Sequence, residues 1–335
     1  MTTPSVTTPS VTTPRPTAPP VGIGVIGARS MVATRAVMPA VEHSAGATLV
    51  AASALGGPVP EPWTHLGAGT YDDVLEHPEV DAVYIPLPNG MHRHWVERAA
   101  AAGKHVLCEK PLGTDAADVR AMATACDDAG VLLAEAWMTP FDPLWRMALD
   151  TARNGSIGTV VDIDSSFTFT IGADAAGNYR WSPEQGGGAL LDVGVYCLGP
   201  IVALWGARPD GVDATALWDR GGVDARTEAT LEWSDGRQAR MRCSFVDPEE
   251  QRLEIVGEAG SLVVTTDVHT GGGSAFVIAR PDGGIEHVEV SPGNPYLGMI
   301  EAFADAVRGD QRWPRSIDDT IELTELVDRI GAASR

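Results

Sequence analysis

From residue 21 to about 141, short apolar runs alternate with amphipathic or alanine-rich stretches, and glycines stand at the junctions. Val21–Ile26 is such a run, and 48–52, 80–87, 105–108 and 131–137 follow it as strand candidates. The stretch HRHWVERAAAAG predicts a helix stopped by Gly103. Thr114 is placed to cap a further helix that runs to about Ala129 and ends at Gly130. Strand and helix in alternation predict a parallel sheet with crossover helices.

After about residue 155 the period changes. VVDIDSSFTFTI (160–171) alternates as a half-buried strand does, and 212–219, 226–234, 238–246, 252–257 and 260–266 read as further strands. Helices are expected near 189–205, 295–308 and 317–333. The chain therefore divides into a Thr/Pro-rich tail (1–20), an α/β lobe built on a parallel sheet (21–141) and an α+β lobe with an open-faced, mostly antiparallel sheet (142–335). The tail repeats TTPSV and carries six prolines, and it buries too little apolar area to offset its ordering entropy; a disordered segment is expected. It has neither the basic start nor the apolar core of a secretory signal.

Composition narrows the partners. With 24 basic and 45 acidic residues the net charge is −21, which repels nucleic acid and anionic membrane surfaces. Cys108, Cys126, Cys197 and Cys243 form no ligand-spaced cluster and read as reduced thiols of a cytoplasmic protein, with no metal site. No apolar run reaches the ~18 residues of a membrane span.

Three stretches carry candidate chemistry. GIGVIGARSMVA (22–33) places Gly27, Ala28, Arg29, Ser30 and Met31 on a turn between a buried strand and a helix, where backbone N–H groups can face a pyrophosphate. The second strand ends in Ser53-Ala54-Leu55 with no acid to grip an adenine ribose, which favours NADP over NAD, and Arg29 can reach the same place. In YIPLPNGMHRH and GKHVLCEKPL, prolines stop the third strand at its C-terminal edge and Lys110 lies at the same edge of the fourth. In GGGALLDVGVY (186–196), Asp192 and Tyr196 are four apart and share a helical face, an arrangement suited to proton transfer. Each has a plainer reading: a tight turn, a surface loop, a helix-surface hydrogen bond.

Taken together, VDAVYIPLPNGMH, AGKHVLCEKPL, GGGALLDVGVYCLG and NPYLGMIEAFADAVRGD resemble the glucose–fructose oxidoreductase, inositol dehydrogenase and rhizopine-catabolism (Gfo/Idh/MocA) family over about residues 21–335. The nearest branches are the sugar reductases, xylose dehydrogenases and dihydrodiol dehydrogenases. The resemblance implies that residues 21–141 form a Rossmann dinucleotide-binding domain and 142–335 a substrate-binding and dimerisation domain, with a nicotinamide cofactor between them and a homodimer or homotetramer formed through the second sheet. It implies that Lys110 of the E-K-P segment touches substrate and nicotinamide ribose, with Glu109 beside it. Asp192 and Tyr196 match the D-x-x-x-[HY] pair. Pro86, Pro88, Asn89 and His92 match the segment against the nicotinamide, with Leu87 among the expected cofactor contacts, and Arg180-Trp181 an R-W pair bordering the cleft; Trp137 is expected at the substrate. The chain departs from the family pattern in the turn at 27–33, in a shortened second helix, and at Asp142, where relatives often carry histidine.

The expected reaction is hydride transfer to or from a CH–OH/C=O carbon of a sugar, nucleotide-linked keto sugar or cyclic diol. Tyr196 would act as acid and base, its pKa lowered by Lys110, which also stabilises the alkoxide. An NAD-using glycosidase of the same fold and a non-catalytic cofactor sensor are the alternatives.

Overall fold

The computed structural model describes residues 19–172, 177–219 and 221–335. All of the expected tail but Pro19 and Pro20 lies outside the described residues.

The first sheet has five parallel strands, β1 (Val21–Ile26), β2 (Ala47–Ser53), β3 (Ala82–Ile85), β4 (His105–Glu109) and β5 (Leu133–Ala136), in the order β2-β1-β3-β4-β5. All six residues of β1 are buried, because helices cover both faces of the sheet. Each apolar side chain buried there contributes about 1.5–3 kcal/mol relative to exposure. The crossovers are α1 (Met38–His43), α2 (Tyr71–Glu76), α3 (His92–Ala101) and α4 (Ala116–Ala129). Gly103 follows α3 with φ +70°, and Gly130 ends α4 in the left-handed conformation, as expected. The cap of α4 is Asp115 rather than Thr114: its carboxylate accepts from the Asp118 N–H, while the Thr114 hydroxyl donates to the Asp118 side chain. The second helix is short, a 3₁₀ turn at Trp63–Leu66 followed by the six residues of α2 under a Thr70/Asp73 capping box.

The second sheet has eight strands: β6 (Val160–Thr170), β7 (Gly211–Trp218), β8 (Asp224–Glu232), β9 (Gln238–Ser244), β10 (Val246–Gly257), β11 (Gly260–Val264), β12 (Ala275–Ala279) and β13 (Ile285–Glu289). Their order is β13-β12-β11-β10-β6-β9-β8-β7, antiparallel except for the β6–β9 pair. One face packs on α5 (Pro143–Arg153), α6 (Val195–Trp205) and α8 (Ile317–Ala333). The other is a lattice of charge, with Arg240 paired to Asp162 and Asp164, and Arg242 to Glu250. The segment Pro183–Trp205 is long and apolar enough to span a membrane by length and composition, but 72% of its apolar window is buried, and it forms part of the core.

Two contacts join the sheets at the back of the cleft. Helix α7 (Pro295–Val307) packs on α1, and α8 crosses to α4 and β5. Glu135 of β5 accepts from the Leu112 N–H (3.1 Å) and pairs with Arg315, just ahead of α8. All four cysteines are free and buried.

Candidate active site

The chain leaves β1 for β2 on one side and reaches β3 on the other. This reversal opens a crevice above the C-terminal edge of the parallel sheet. A cleft of about 1330 Å³ occupies it, closed on the far side by the second sheet.

The β1 turn forms one wall. Gly27 has φ +109°, and a Cβ there would stand 2.8 Å from Leu87 Cδ2, so only glycine leaves room. The Gly27 and Ala28 N–H groups both donate to Ser53 O at 3.0 Å, tying the turn to β2. Arg29, Ser30, Met31 and Arg35 line the cleft. The Arg29 guanidinium lies over the loop after β2: a Cβ on Gly57 would be 2.7 Å from Nη1.

Glu109 ends β4 and Lys110 follows it, and Asp192 and Tyr196 approach from the second lobe. The helix there opens with a π turn, Leu190–Gly194, ahead of α6, and both side chains reach the cleft. The Lys110 ammonium donates to the Asp192 carbonyl (2.7 Å) and to its Oδ1 (3.2 Å), and lies 4.7 Å from the Tyr196 ring centroid. Arg180 Nε donates to the other carboxylate oxygen at 2.5 Å. Burial alone would raise the Asp192 pKa, but the two cations overcome it and hold the group below the ordinary aspartate range. Burial also works against the Lys110 charge; Asp192 outweighs it, and Lys110 stays an ammonium. Burial, then the negative charges of Glu109 and Asp192, push the Tyr196 phenol well above its usual value. The expected lowering by Lys110 is therefore corrected: the cation sits over the ring face and its hydrogen bonds go to Asp192. Glu109 accepts from the Tyr84 hydroxyl at 2.7 Å; burial pushes its carboxyl up to about 7, against the pull of Tyr84 and Lys110.

Five expected residues stand elsewhere. Trp137 is buried behind the cleft, its ring under Arg315 at 4.8 Å and against Gly199, where a Cβ would collide with it at 2.4 Å. Ser53 turns its hydroxyl to Gly69 O (2.6 Å). Ala28 is sealed beneath the turn. His92 is fully buried, with its ring nitrogens 2.8 Å from Leu87 O and 3.1 Å from Pro111 O, and it braces the two proline loops from below. Trp181 packs edge-on against Phe245 at 5.6 Å, away from the cleft. Asp142 has no place in the cleft either; it is buried and caps α5 by accepting from the Leu144 and Trp145 N–H groups. Pro86, Leu87, Asn89 and Arg180 line the cleft as expected. Tyr179, Tyr296, Phe167 and Phe169 also line it and were missed. The pattern FTF in β6 and the tyrosine beside Arg180 were the available signals.

Residues 21–136 match the family described as an oxidoreductase family with an NAD-binding Rossmann fold, and residues 145–263 match the GFO/IDH/MocA C-terminal domain. The chain belongs to the Gfo/Idh/MocA oxidoreductase family. Among its relatives, a D-xylose 1-dehydrogenase (NADP(+)) of Haloferax volcanii is 34% identical over 92% of this chain and 95% of its own. A 3-ketoreductase from Actinomadura kijaniata, solved with NADP and TDP-benzene, superposes with a TM-score of 0.88 at 30% identity, covering 94% of this chain and 98% of the other. An aldose–aldose oxidoreductase from Caulobacter crescentus has a TM-score of 0.84 at 28% identity over the same shares.

The residues present fit the dinucleotide that Gfo/Idh/MocA membership implies. Gly27 provides a cradle that a side chain would fill, Arg29 and Arg35 bring positive charge to its wall, and Lys110 stands at the strand edge where a nicotinamide ribose would lie.

Proposed function

We propose that this chain is a cytoplasmic NADP-dependent oxidoreductase acting on a CH–OH/C=O carbon of a sugar, nucleotide-linked keto sugar or cyclic diol. The observation that carries this reading is the convergence of Lys110 from the first lobe and of Asp192 and Tyr196 from a helix of the second on one cleft beside a glycine turn. Residues 21–141 would hold the cofactor and 142–335 the substrate. Arg29 over the Gly57 loop, with no acid ending β2, favours the 2′-phosphate of NADP; NAD would bind more weakly. The NADP named for the Haloferax and Actinomadura proteins supports the same choice.

When bound, the nicotinamide supplies or accepts the hydride. In reduction, the neutral Tyr196 hydroxyl gives its proton to the developing alkoxide, and the Lys110 ammonium stabilises the charge that builds there. Asp192, fixed by two cations, keeps Lys110 aimed and retains lone pairs for a substrate hydroxyl. In oxidation, Tyr196 must first release its proton, so higher pH favours that direction. Association into a homodimer or homotetramer would cover the charged open face of the second sheet.

The test is a panel of aldoses, dihydrodiols and keto sugars with NAD(H) and NADP(H), followed by nicotinamide absorbance. Turnover with NADP(H) exceeding that with NAD(H) supports the reading. Release of a sugar with absorbance returning to its starting value replaces it with glycoside cleavage. Binding of NADPH without turnover across the panel replaces it with a sensing role.

A further inference from the structure

The second sheet and the loop after β11 line their side of the cleft with Phe167, Phe169, Thr170, Glu249, Gln251 and Asp267, none of them cationic. Among the described residues lining the cleft, the basic side chains are Arg29, Arg35, Lys110 and Arg180. Arg29 and Arg35 belong to the turn and helix after β1, on the cofactor wall. Lys110 and Arg180 are both committed to Asp192. A diphosphate is normally recognised by arginine forks, lysines or nests of backbone N–H groups. Here it would lie against the exposed carboxylates of Glu249 and Asp267, on a chain of net charge −21.

A neutral polyhydroxylated ring meets complementary groups instead. Tyr179, Tyr196 and Tyr296 turn toward the cleft, and Asp192 still has lone pairs to accept a hydroxyl. Burial keeps all three phenols protonated. Phe167 and Phe169, with ring centroids 6.0 Å apart, offer an apolar wall to the C–H face of a ring. Gln251 stiffens that side, its Oε1 accepting from the His269 N–H and its Nε2 donating to the Thr270 hydroxyl.

From this charge distribution we infer that the substrate is a free, uncharged sugar or cyclic diol and not a sugar carrying a nucleoside diphosphate. The inference rests on the redox reading of the same cleft and narrows it. It is tested on the full chain loaded with NADP, titrated with glucose and with nucleoside-diphosphate-linked glucose, binding being read by calorimetry and turnover by nicotinamide absorbance. The expected result is preference for the free sugar by at least about tenfold. The double variant Glu249→Lys/Asp267→Lys should move the ratio toward the charged ligand by about tenfold. Equal or tighter binding of the diphosphate-linked sugar by the unaltered chain overturns the inference, as does a ratio that the double variant leaves unmoved. Preference for the free sugar with no NADP-linked turnover of any panel member overturns the redox reading and leaves the ligand class standing. Turnover confined to diphosphate-linked sugars does the reverse.

Discussion

The Lys110 ammonium rests over the face of the Tyr196 ring, 4.7 Å from its centroid, and spends its hydrogen bonds on Asp192. Two roles separate in consequence. In the proposed reaction the lysine would hold positive charge near the reacting oxygen, and the phenol, kept protonated by burial, would supply the proton. Tyr196→Phe should lower kcat for carbonyl reduction by about 10²–10⁴-fold while NADPH still binds, since only the proton donor is lost. Lys110→Ala should cost more, because Asp192 then keeps one cation in place of two. Steady-state kinetics paired with a fluorescence titration of NADPH checks both; unchanged turnover in the phenylalanine variant rules out Tyr196 as the acid.

A second titration lies beneath this pair. The Glu109 carboxyl, pushed up to about 7 by burial, is neutral below that pH and charged above it. Once charged, it raises the Tyr196 pKa further and opposes an alkoxide nearby. Thus kcat/KM for reduction should fall as pH rises through about 7, and Glu109→Gln should remove that inflection. Tyr84 donates to the Glu109 carboxylate at 2.7 Å and so favours its charged form. Tyr84→Phe should therefore move the inflection to higher pH. A profile of kcat/KM against pH for the three proteins decides; an inflection surviving in the glutamine variant assigns it to another group.

That Lys110, Asp192 and Tyr196 face one cleft is legible in the sequence, because strand ends and short helical spacings are local properties that survive folding. The parallel sheet was legible for the same reason, since strands buried on both faces read as continuous apolar runs. What failed depended on neighbours distant in sequence. Trp137 reads as a ring at a strand's end, yet Gly199 on α6 leaves the pocket that takes it. Asp142 stands where relatives often carry histidine, and only the helix after it shows the carboxylate as a cap. Strands β12 and β13, short and set among glycines, follow TGGGS and PDGG and carry little period of their own. The nearness of Lys110 to Tyr196 follows from the family resemblance, but the lysine's place over the ring face does not, since it depends on Arg180 and Lys110 dividing the Asp192 carboxylate.

The cofactor wall gives a charge test. Arg29 lies over Gly57 in the loop after β2, where a ribose phosphate would sit, and β2 ends without a carboxylate to grip a bare ribose. A charge-assisted hydrogen bond of this kind is worth about 1.5–3 kcal/mol, or roughly ten- to a hundredfold in affinity. Arg29→Ser should weaken NADP(H) by that factor and leave NAD(H) nearly unchanged. Parallel titrations with both cofactors measure it, and equal losses for the two would show that Arg29 supports the turn and does not read the phosphate.

Stability has its own titrating group in His269. Its ring is fully buried, stacks on Phe167 at 5.7 Å, and has Nε2 3.1 Å from the Ser166 carbonyl; Nδ1 has no hydrogen-bond partner. In the neutral ring Nε2–H donates to Ser166, while a second proton would place an unpaired charge in the core. Burial accordingly lowers the pKa from 6.5 to about 4. Above 6.5 both folded and unfolded states hold the ring neutral, and the contribution is complete. Between 6.5 and 4 the unfolded chain binds a proton that the folded chain refuses, so stability is lost as pH falls through that window. The shift corresponds to roughly 3 kcal/mol across it. His269→Gln removes the titrating group and keeps a side chain able to donate to Ser166. The melting temperature of the variant should fall less steeply than that of the parent between pH 6.5 and 4; parallel slopes would place the acid sensitivity in other groups.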